Sequence, residues 1–546
     1  MTTRVPIRAI LPIVLAACTG SGQDAPPTIA QSGVVNFASR MPPRLAGGAI
    51  ARGSLISIRG WRLGPAEPVR AAAPKLEPAL AGVRLRLRQG AVQMDLLPVM
   101  VSFGEIQALL PDDAPLGAVE VSVVRNGVPS RTPASIEIVQ SSFGAFSQNG
   151  RGWGPGDARS ADGGLNTPEH AARPGEIITL RGTGLGPSAG KASIEVRVGG
   201  RAGQVARVAH QAAGPGTDEI SFAIPTDVPE GCYVPVRVLS GSRVSNTVTI
   251  AVNREGGACS TAASWMGTQA SQSGTVAFLA LVRVSLRLIL TPREHADFVM
   301  DVGYASFERR KSDDQPNPYY VFPVPGTCAT LAGPMTLSSL IRPESTLLRG
   351  TGTALDAGDV IRVIGSDAER TLPRSHGTVL GGTTPLPQAQ SNRRPLFLQP
   401  GDFLFSVPGG RDVSAFDTSV RVSRPIEWTN RDRLATVERT QGFTVKWRAA
   451  RRDGLVLITA VNSDEESGGV GMCSCIERAV KGSFYVPPDA LANIPFTPAQ
   501  AQGLPTNLLS LVELPGDNSG QSKNAHALDR VIAFYASALA RTVSFR

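Results

Sequence analysis

Two stretches of this chain, 122 residues apart, are written to one pattern. Gly53-Ser-Leu-Ile-Ser-Ile-Arg-Gly60 runs into Leu63-Gly64-Pro65, and Gly175-Glu-Ile-Ile-Thr-Leu-Arg-Gly182 runs into Leu185-Gly186-Pro187. A second block repeats at an offset of 114, Pro111-Asp-Asp-Ala-Pro-Leu-Gly117 against Pro225-Thr-Asp-Val-Pro-Glu-Gly231. Self-similarity at fixed spacing means a duplicated structural unit. Each copy continues in alternation. Val119, Val121 and Val123 precede Asn126-Gly127, and Val234, Val236 and Val238 precede Ser240-Gly241. Period-two alternation lays one face of a strand on a core, and the Gly-containing break turns the chain back. Apolar strands at 135–139 and 247–252 close the copies. The duplicated unit is therefore built of short strands.

Composition agrees. The 546 residues include 58 Gly and 43 Pro, which supply turns in the number an all-β chain needs. Hydrophobic residues at 42% against 18% charged exclude a disordered, charge-rich chain. At about 150 residues per domain the length allows three to four domains. No run of about 18 predominantly apolar residues offers a membrane-spanning helix.

The opening strand of each copy resembles the IPT/TIG branch of immunoglobulin-like sandwiches. The second copy carries the fuller pattern, from Arg173-Pro174-Gly175 to Gly182-Thr-Gly-Leu-Gly186, whereas the first has Arg52 where the family has Pro. Gly33-Val-Val-Asn-Phe-Ala-Ser39 and Val101-Ser-Phe-Gly-Glu-Ile-Gln107 are similar to motifs of a secreted acidobacterial family of Ig-like domain proteins of unknown function. The resemblance covers about residues 33–253 and implies Ig-like sandwiches. It is nearly silent on function, because such sandwiches host binding, spacing and enzyme-accessory roles alike.

Residues 1–18 read as an export signal. Arg4 and Arg8 precede an apolar stretch from Ala9 to Ala17, too short to span a bilayer, that ends Leu15-Ala16-Ala17-Cys18. This looks like a bacterial lipobox, with Cys18 as the lipidated residue and further acylation giving stable anchoring. Thr19 after the Cys points to the outer membrane by analogy with enteric bacteria. Residues 19–32 read as a tether, 33–140 as the first Ig-like sandwich, 141–170 as a linker and 171–259 as the IPT/TIG-like sandwich. The linker's Trp153 is either a platform for a sugar or a plug in the seam between sandwiches. The gain from burying a large apolar ring favours the plug.

Residues 260–546 form a β-rich region, one or two further β-sandwiches, with strands read at 276–290, 359–364, 394–398, 402–410, 442–447, 454–460 and 482–487. Trp428 and Trp447 sit on such strands and are expected in a core. The final residues, 530–546, read as a terminal strand or hairpin. The expected fold is all-β throughout, tandem Ig-like sandwiches followed by this region.

Six cysteines are present. With Cys18 lipidated, five remain. Cys232 and Cys259, 27 residues apart, bracket the end of the second sandwich, and a disulfide there would staple it. The resembling family shows a similar pair. Cys328 is left with Cys473 or Cys475. The family carries a Cys near 475, which implies Cys328–Cys475.

No chemistry is announced. The five His form no HxH or HExxH, and Cys473-Ser-Cys475 has no neighbouring ligand in sequence, so no metal site is expected. Gly186-Pro-Ser188-Ala-Gly190 matches GxSxG but lies in a loop of the repeat, without the strand–turn–helix a nucleophile elbow needs. Asp313-Asp314 and Asp464-Glu465-Glu466 read as solvated hairpin tips. Of 54 basic residues 48 are arginine, and the net charge of +9 is spread along the chain without a nucleic-acid motif. Its clusters lie at Arg309-Arg310-Lys311, at Arg393-Arg394 and around Arg451.

The function expected is a non-enzymatic, exported envelope protein, lipid-anchored or extracellular, whose sandwiches act as spacers and binding units. Its partners would be a membrane through the anchor and a polysaccharide or envelope protein, with no cofactor and no nucleic acid. The alternative is a secreted glycoside hydrolase or accessory subunit with its chemistry in 260–546.

Overall fold

A computed structural model of the chain describes residues 25–72, 75–190, 193–259, 274–291, 294–310, 322–333, 352–366, 368–375, 378–383, 396–464, 469–497, 507–516 and 528–546. Cys18 and the stretch read as an export and anchor signal lie outside these residues.

The first copy contains β1 (Thr28–Asn36), β2 (Leu55–Trp61), β3 (Val83–Gln89), β4 (Val92–Val101), β5 (Glu105–Leu109), β6 (Gly117–Arg125) and β7 (Ala134–Val139). Their neighbour order is β1-β2-β5-β4-β3-β6-β7, and Ile50–Ala51 closes the far edge parallel to β7. The second copy contains β8 (Ile177–Thr183), β9 (Ile194–Val198), β10 (Arg201–Ala209), β11 (Asp218–Ala223), β12 (Gly231–Ser240) and β13 (Val248–Val252). There the order is Gly144–Ala145, then β8-β11-β10-β9-β12-β13, then Gly154–Pro155 parallel to β13. The two orders match strand for strand.

One strand in each copy changes layer. β4 pairs β3 through Leu96 and β5 through Leu97, and its register slips between Pro98 and Met100. β10 does the same between β9 and β11, with a slip between Val205 and Arg207. An extra residue in a strand bends it and increases its twist, which folds one hydrogen-bonded path into two facing layers. Alternation fills the space between them. In β3 the valine and leucines at 83, 85 and 87 are buried while the arginines at 84, 86 and 88 face out. Ile56, Ile58, Leu96 and Ile106 complete the first core, and Leu180, Val196, Ile220 and Phe222 the second.

Residues read as linker join this scheme. Gly144–Ala145 and Ala158–Arg159 pair with β8, and Gly154–Pro155 with β13. Trp153 packs on Ala329, Leu331, Val461, Val470 and Met472, with the Arg151 guanidinium 5.8 Å from its ring. It does fill a seam, but that seam faces the C-terminal region.

The C-terminal region is built on one sheet. Its strands are β14 (Gly274–Thr291), β15 (Glu294–Arg310), β16 (Thr327–Gly333), β17 (Val360–Ile364), β18 (Glu369–Ser375), β19 (Thr378–Thr383), β20 (Gly401–Val407), β21 (Phe416–Val422), β22 (Leu455–Asp464), β23 (Gly469–Arg478), β24 (Leu508–Leu514) and β25 (Arg530–Thr542). They run β16-β23-β22-β24-β25-β14-β15-β19-β18-β17-β20-β21. The sheet rolls until β21 packs beside β25, enclosing Leu279, Phe307, Ile361, Phe405 and Tyr535. A second core, shared by this sheet and a separate three-stranded sheet of Glu427–Trp428, Phe443–Arg448 and Ser483–Val486, gathers Trp428, Trp447, Val456, Leu511 and Phe545, so both tryptophans are buried. The stretch from 276 to 290 is one long strand, and the terminal segment pairs with it in parallel.

Both disulfides form, Cys232–Cys259 and Cys328–Cys475. Cys473 is a buried free thiol whose sulfur lies 3.7 Å from that of Cys475. Burial pushes its pKa up to about 12, so it stays protonated. Among the described residues, no helix is long and apolar enough to cross a membrane.

Candidate functional site

The sites suggested by composition disperse in the structure. Arg310 is buried against Glu308 at 3.2 Å, while Arg309 beside it is exposed. Arg448 faces Glu427 at 3.0 Å, and Arg451 faces Asp453 at 3.6 Å. Arg393, Arg394, Lys311, Asp313, Asp314, Glu465 and Glu466 lie outside the described residues. Asp464 reaches Arg44 at 3.6 Å. Ser188 is exposed in a turn. A recess of about 430 Å³ opens where β21 meets β25, lined among others by Asp402, Arg421, Arg451 and Tyr535, but Asp402 is its one lining carboxylate.

A different place draws the eye, on the outer layer of the first sandwich. Alternation along β2 sends Ile56 and Ile58 into the core. It sends Ser57, Arg59 and Trp61 to the opposite face. Trp61 is 61% exposed, an unusual state for the largest apolar side chain. Its ring is braced edge-on by Phe103, with centroids 4.7 Å apart and planes at 77°. The neighbouring strand ends supply a floor. A Cβ on Gly60 would stand 2.1 Å from the Thr28 carbonyl oxygen, so glycine there lets β1 close against β2. The result is an open cleft of about 520 Å³ lined by Thr28, Ala30, Arg59, Gly60, Trp61, Gly104 and Glu105.

Its polar wall is a cross-strand pair. Arg59 of β2 stands opposite Glu105 of β5 in register. Glu105, however, is held from elsewhere. Its Oε1 accepts hydrogen bonds from Arg40 Nη1 at 2.7 Å and Ser57 Oγ at 2.6 Å. Arg40 reaches it from a backbone in the left-handed region, φ +57°, with its guanidinium 4.7 Å from the Phe37 ring. Burial opposes ionisation of Glu105, but the Ser57 hydroxyl and the Arg40 guanidinium outweigh it and hold the carboxyl below its ordinary range. Arg59 is left without a hydrogen bond or ion pair among the described residues. Burial first, and then the like charge of Arg40, pull its pKa down against the attraction of Glu105.

The duplication provides an internal comparison. By the same offsets Arg59 corresponds to Arg181, Glu105 to Glu219 and Trp61 to Thr183. Arg181 and Glu219 are also opposite in register, and there they pair, Nε to Oε1 at 3.1 Å. Thr183 is fully buried at the junction of the two sandwiches, where its hydroxyl accepts from Leu55 N at 2.8 Å. An exposed ring and an unpartnered guanidinium therefore belong to the first copy. Alternation alone did not single out Trp61. The readable signal was the mismatch of Trp61 with Thr183 inside an otherwise matching block.

No family model matches this chain, and no curated protein matches it. Solved structures show remote likeness. A Bacteroides thetaiotaomicron protein of unknown function aligns at 11% identity and TM-score 0.15, over 53% of this chain and 47% of its own. This chain thus spans about half the length of that protein. Domains 5–6 of the S-layer protein SbsC align at 8% identity and TM-score 0.17, over 41% of this chain and 98% of theirs. A Bacteroides ovatus SGBP-B of a mixed-linkage glucan utilization locus, in complex with a heptasaccharide, aligns at 10% and TM-score 0.12, over 78% and 80%. Likeness at this level says nothing of what this chain binds.

Proposed function

We propose that this chain is a non-enzymatic, exported cell-envelope protein that binds polysaccharide through the Trp61 cleft. Residues 1–18 direct export, Cys18 carries the lipid, and 19–32 tether the first sandwich, 33–140. The second sandwich, 171–259, and the region 260–546 hold that sandwich in place. The observation that carries the reading is an exposed, braced Trp61 on a wall of polar groups. The apolar face of a pyranose ring stacks on an indole, while hydroxyls seek the charged and backbone groups beside it. Glycoside hydrolysis uses two facing carboxylates, whereas Glu105 is the one carboxylate lining this cleft and is already engaged.

The test is binding of the full chain to a panel of immobilised polysaccharides, with Trp61→Ala beside the native sequence. Loss of several-fold, up to about 10-fold, in affinity for the variant, with unchanged circular dichroism, supports the reading, since one stacked ring is worth about 0.5–1.5 kcal/mol. Equal retention by both proteins would remove Trp61 from the function. Anchoring is read separately. Cells fed a clickable fatty acid should label the native protein and not Cys18→Ser; no label on the native protein sinks the anchor, and label that persists in the variant removes Cys18 as its site.

A further inference from the structure

Stacking on Trp61 is indifferent to charge, so what selects among saccharides must come from the polar wall. Of the three charged groups there, two neutralise each other. Arg40 and Glu105 meet at 2.7 Å with side chains 14% and 29% exposed. The third, Arg59, lines the open cleft beside Trp61 and has no hydrogen bond or ion pair among the described residues. The second copy shows the alternative. With no counterpart of Arg40 intervening, Arg181 takes Glu219, and Arg207 approaches the same carboxylate at 3.7 Å. In the first copy the carboxylate that register assigns to Arg59 has been drawn away by a residue upstream of β2. The cleft is left with one uncompensated positive charge, partly desolvated, on a planar fork of donors.

We infer that the cleft takes a saccharide bearing a carboxylate, a uronic acid, whose ring stacks on Trp61 and whose carboxylate pairs with Arg59. This rests on the saccharide reading of the cleft. A guanidinium matches a carboxylate through two parallel N–H···O bonds, which is a stronger and more directional recognition than a hydroxyl offers. Partial burial raises the value of the match, because the guanidinium has already lost part of its hydration. A neutral sugar would meet the indole equally well and leave Arg59 as it stands. An acidic sugar answers both groups at once.

The experiment is calorimetric titration of the full chain with three probes: a galacturonate oligomer, the same oligomer as its methyl ester, and a neutral cello-oligosaccharide. Native protein, Arg59→Gln, Arg59→Lys and Trp61→Ala are compared at low salt. The native protein should prefer the free acid over the ester by about 10-fold, the scale of one charge-assisted pair. Arg59→Gln should erase that preference, so that the free acid binds no more tightly than the ester. Arg59→Lys, which retains charge without the fork, should keep only part of it. Equal binding of acid and ester by the native protein overturns the inference, as does a preference that survives Arg59→Gln. Binding of all three probes that survives Trp61→Ala, or no binding of any, overturns the saccharide reading itself. A sulfated glucan in a fourth cell separates carboxylate recognition from general attraction of anions. Binding it as tightly as the uronate counts against the inference.

Discussion

At the residue scale, the joint between the sandwiches turns on His210. Its Nδ1 lies 2.7 Å from Asp218 Oδ1, and its Nε2 lies 2.9 Å from Asp112 Oδ1 of the first sandwich. Asp218 is fully buried and also accepts from the backbone N–H groups of Gly184, Leu185 and Gln211. The Asp218 hydrogen bond raises the pKa of His210 above its ordinary 6.5 against the pull of burial, and Asp112 adds to the rise. The cation is thus the form that the fold prefers. Its contribution is fully present below the unfolded value, about 6.5, and is lost as pH climbs through the higher folded value. Urea titrations between pH 6 and 9 should show native stability falling relative to His210→Gln by on the order of 1 kcal/mol, a small figure because Asp112 is exposed. A constant difference across that range would mean that His210 is neutral in the folded protein. None of this was legible in the sequence. Asp112 lies 98 residues before His210 and Asp218 lies 8 after it, and no ligand spacing in the sequence marks the three as a group.

At the element scale, legibility followed locality. Gly53 and Gly175 open their repeats in the left-handed region, φ +69° and +85°, which glycine occupies without strain. With period-two alternation behind them, they make the duplicated β unit readable, and the two copies share one strand order. The pairing of β25 with β14 carries no such mark. Arg530 meets Val276 across more than 250 residues, in a parallel register set by mutual burial of two apolar strands. The roll of the C-terminal sheet over two cores was hidden for the same reason. Trp61 was missed on a different ground: a strand's pattern says which face is outward, but not whether another element covers it. Disulfides sit between these cases, since spacing and family likeness placed them and the strands bring them together. Their loops differ, 27 residues for Cys232–Cys259 and 147 for Cys328–Cys475. In the chain-entropy picture the first is worth about 3.5 kcal/mol and the second about 5 kcal/mol. Replacing each pair by Ser and comparing guanidinium midpoints should rank the second as the larger loss. The reverse ranking would place the dominant effect in native packing instead of in the unfolded chain.

At the scale of the whole molecule, the question is whether the two sandwiches and the C-terminal region act as one body. The C-terminal region grips both sandwiches through buried polar groups. Asn493 accepts from Gly47 N at 2.9 Å and donates to Val244 O at 3.1 Å, so a single amide side chain touches both copies. Arg237, 3% exposed on β12, meets Asp489 through two nitrogens and gives a third hydrogen bond to Cys328 O at 2.7 Å. A buried pair of this kind contributes little against an apolar replacement but costs much to break, because the survivor is left charged and dry. Asp489→Ala should therefore destabilise by about 3–5 kcal/mol, and Arg237→Met/Asp489→Leu by much less. The shape of the unfolding curve carries the further information. If these contacts couple the cores, the native chain melts in one calorimetric transition and Asp489→Ala splits it, with the sandwiches separating from the C-terminal sheet. Two transitions already present in the native chain would mean that the cores are independent. The cleft at Trp61 would then ride on a jointed arm instead of a fixed frame.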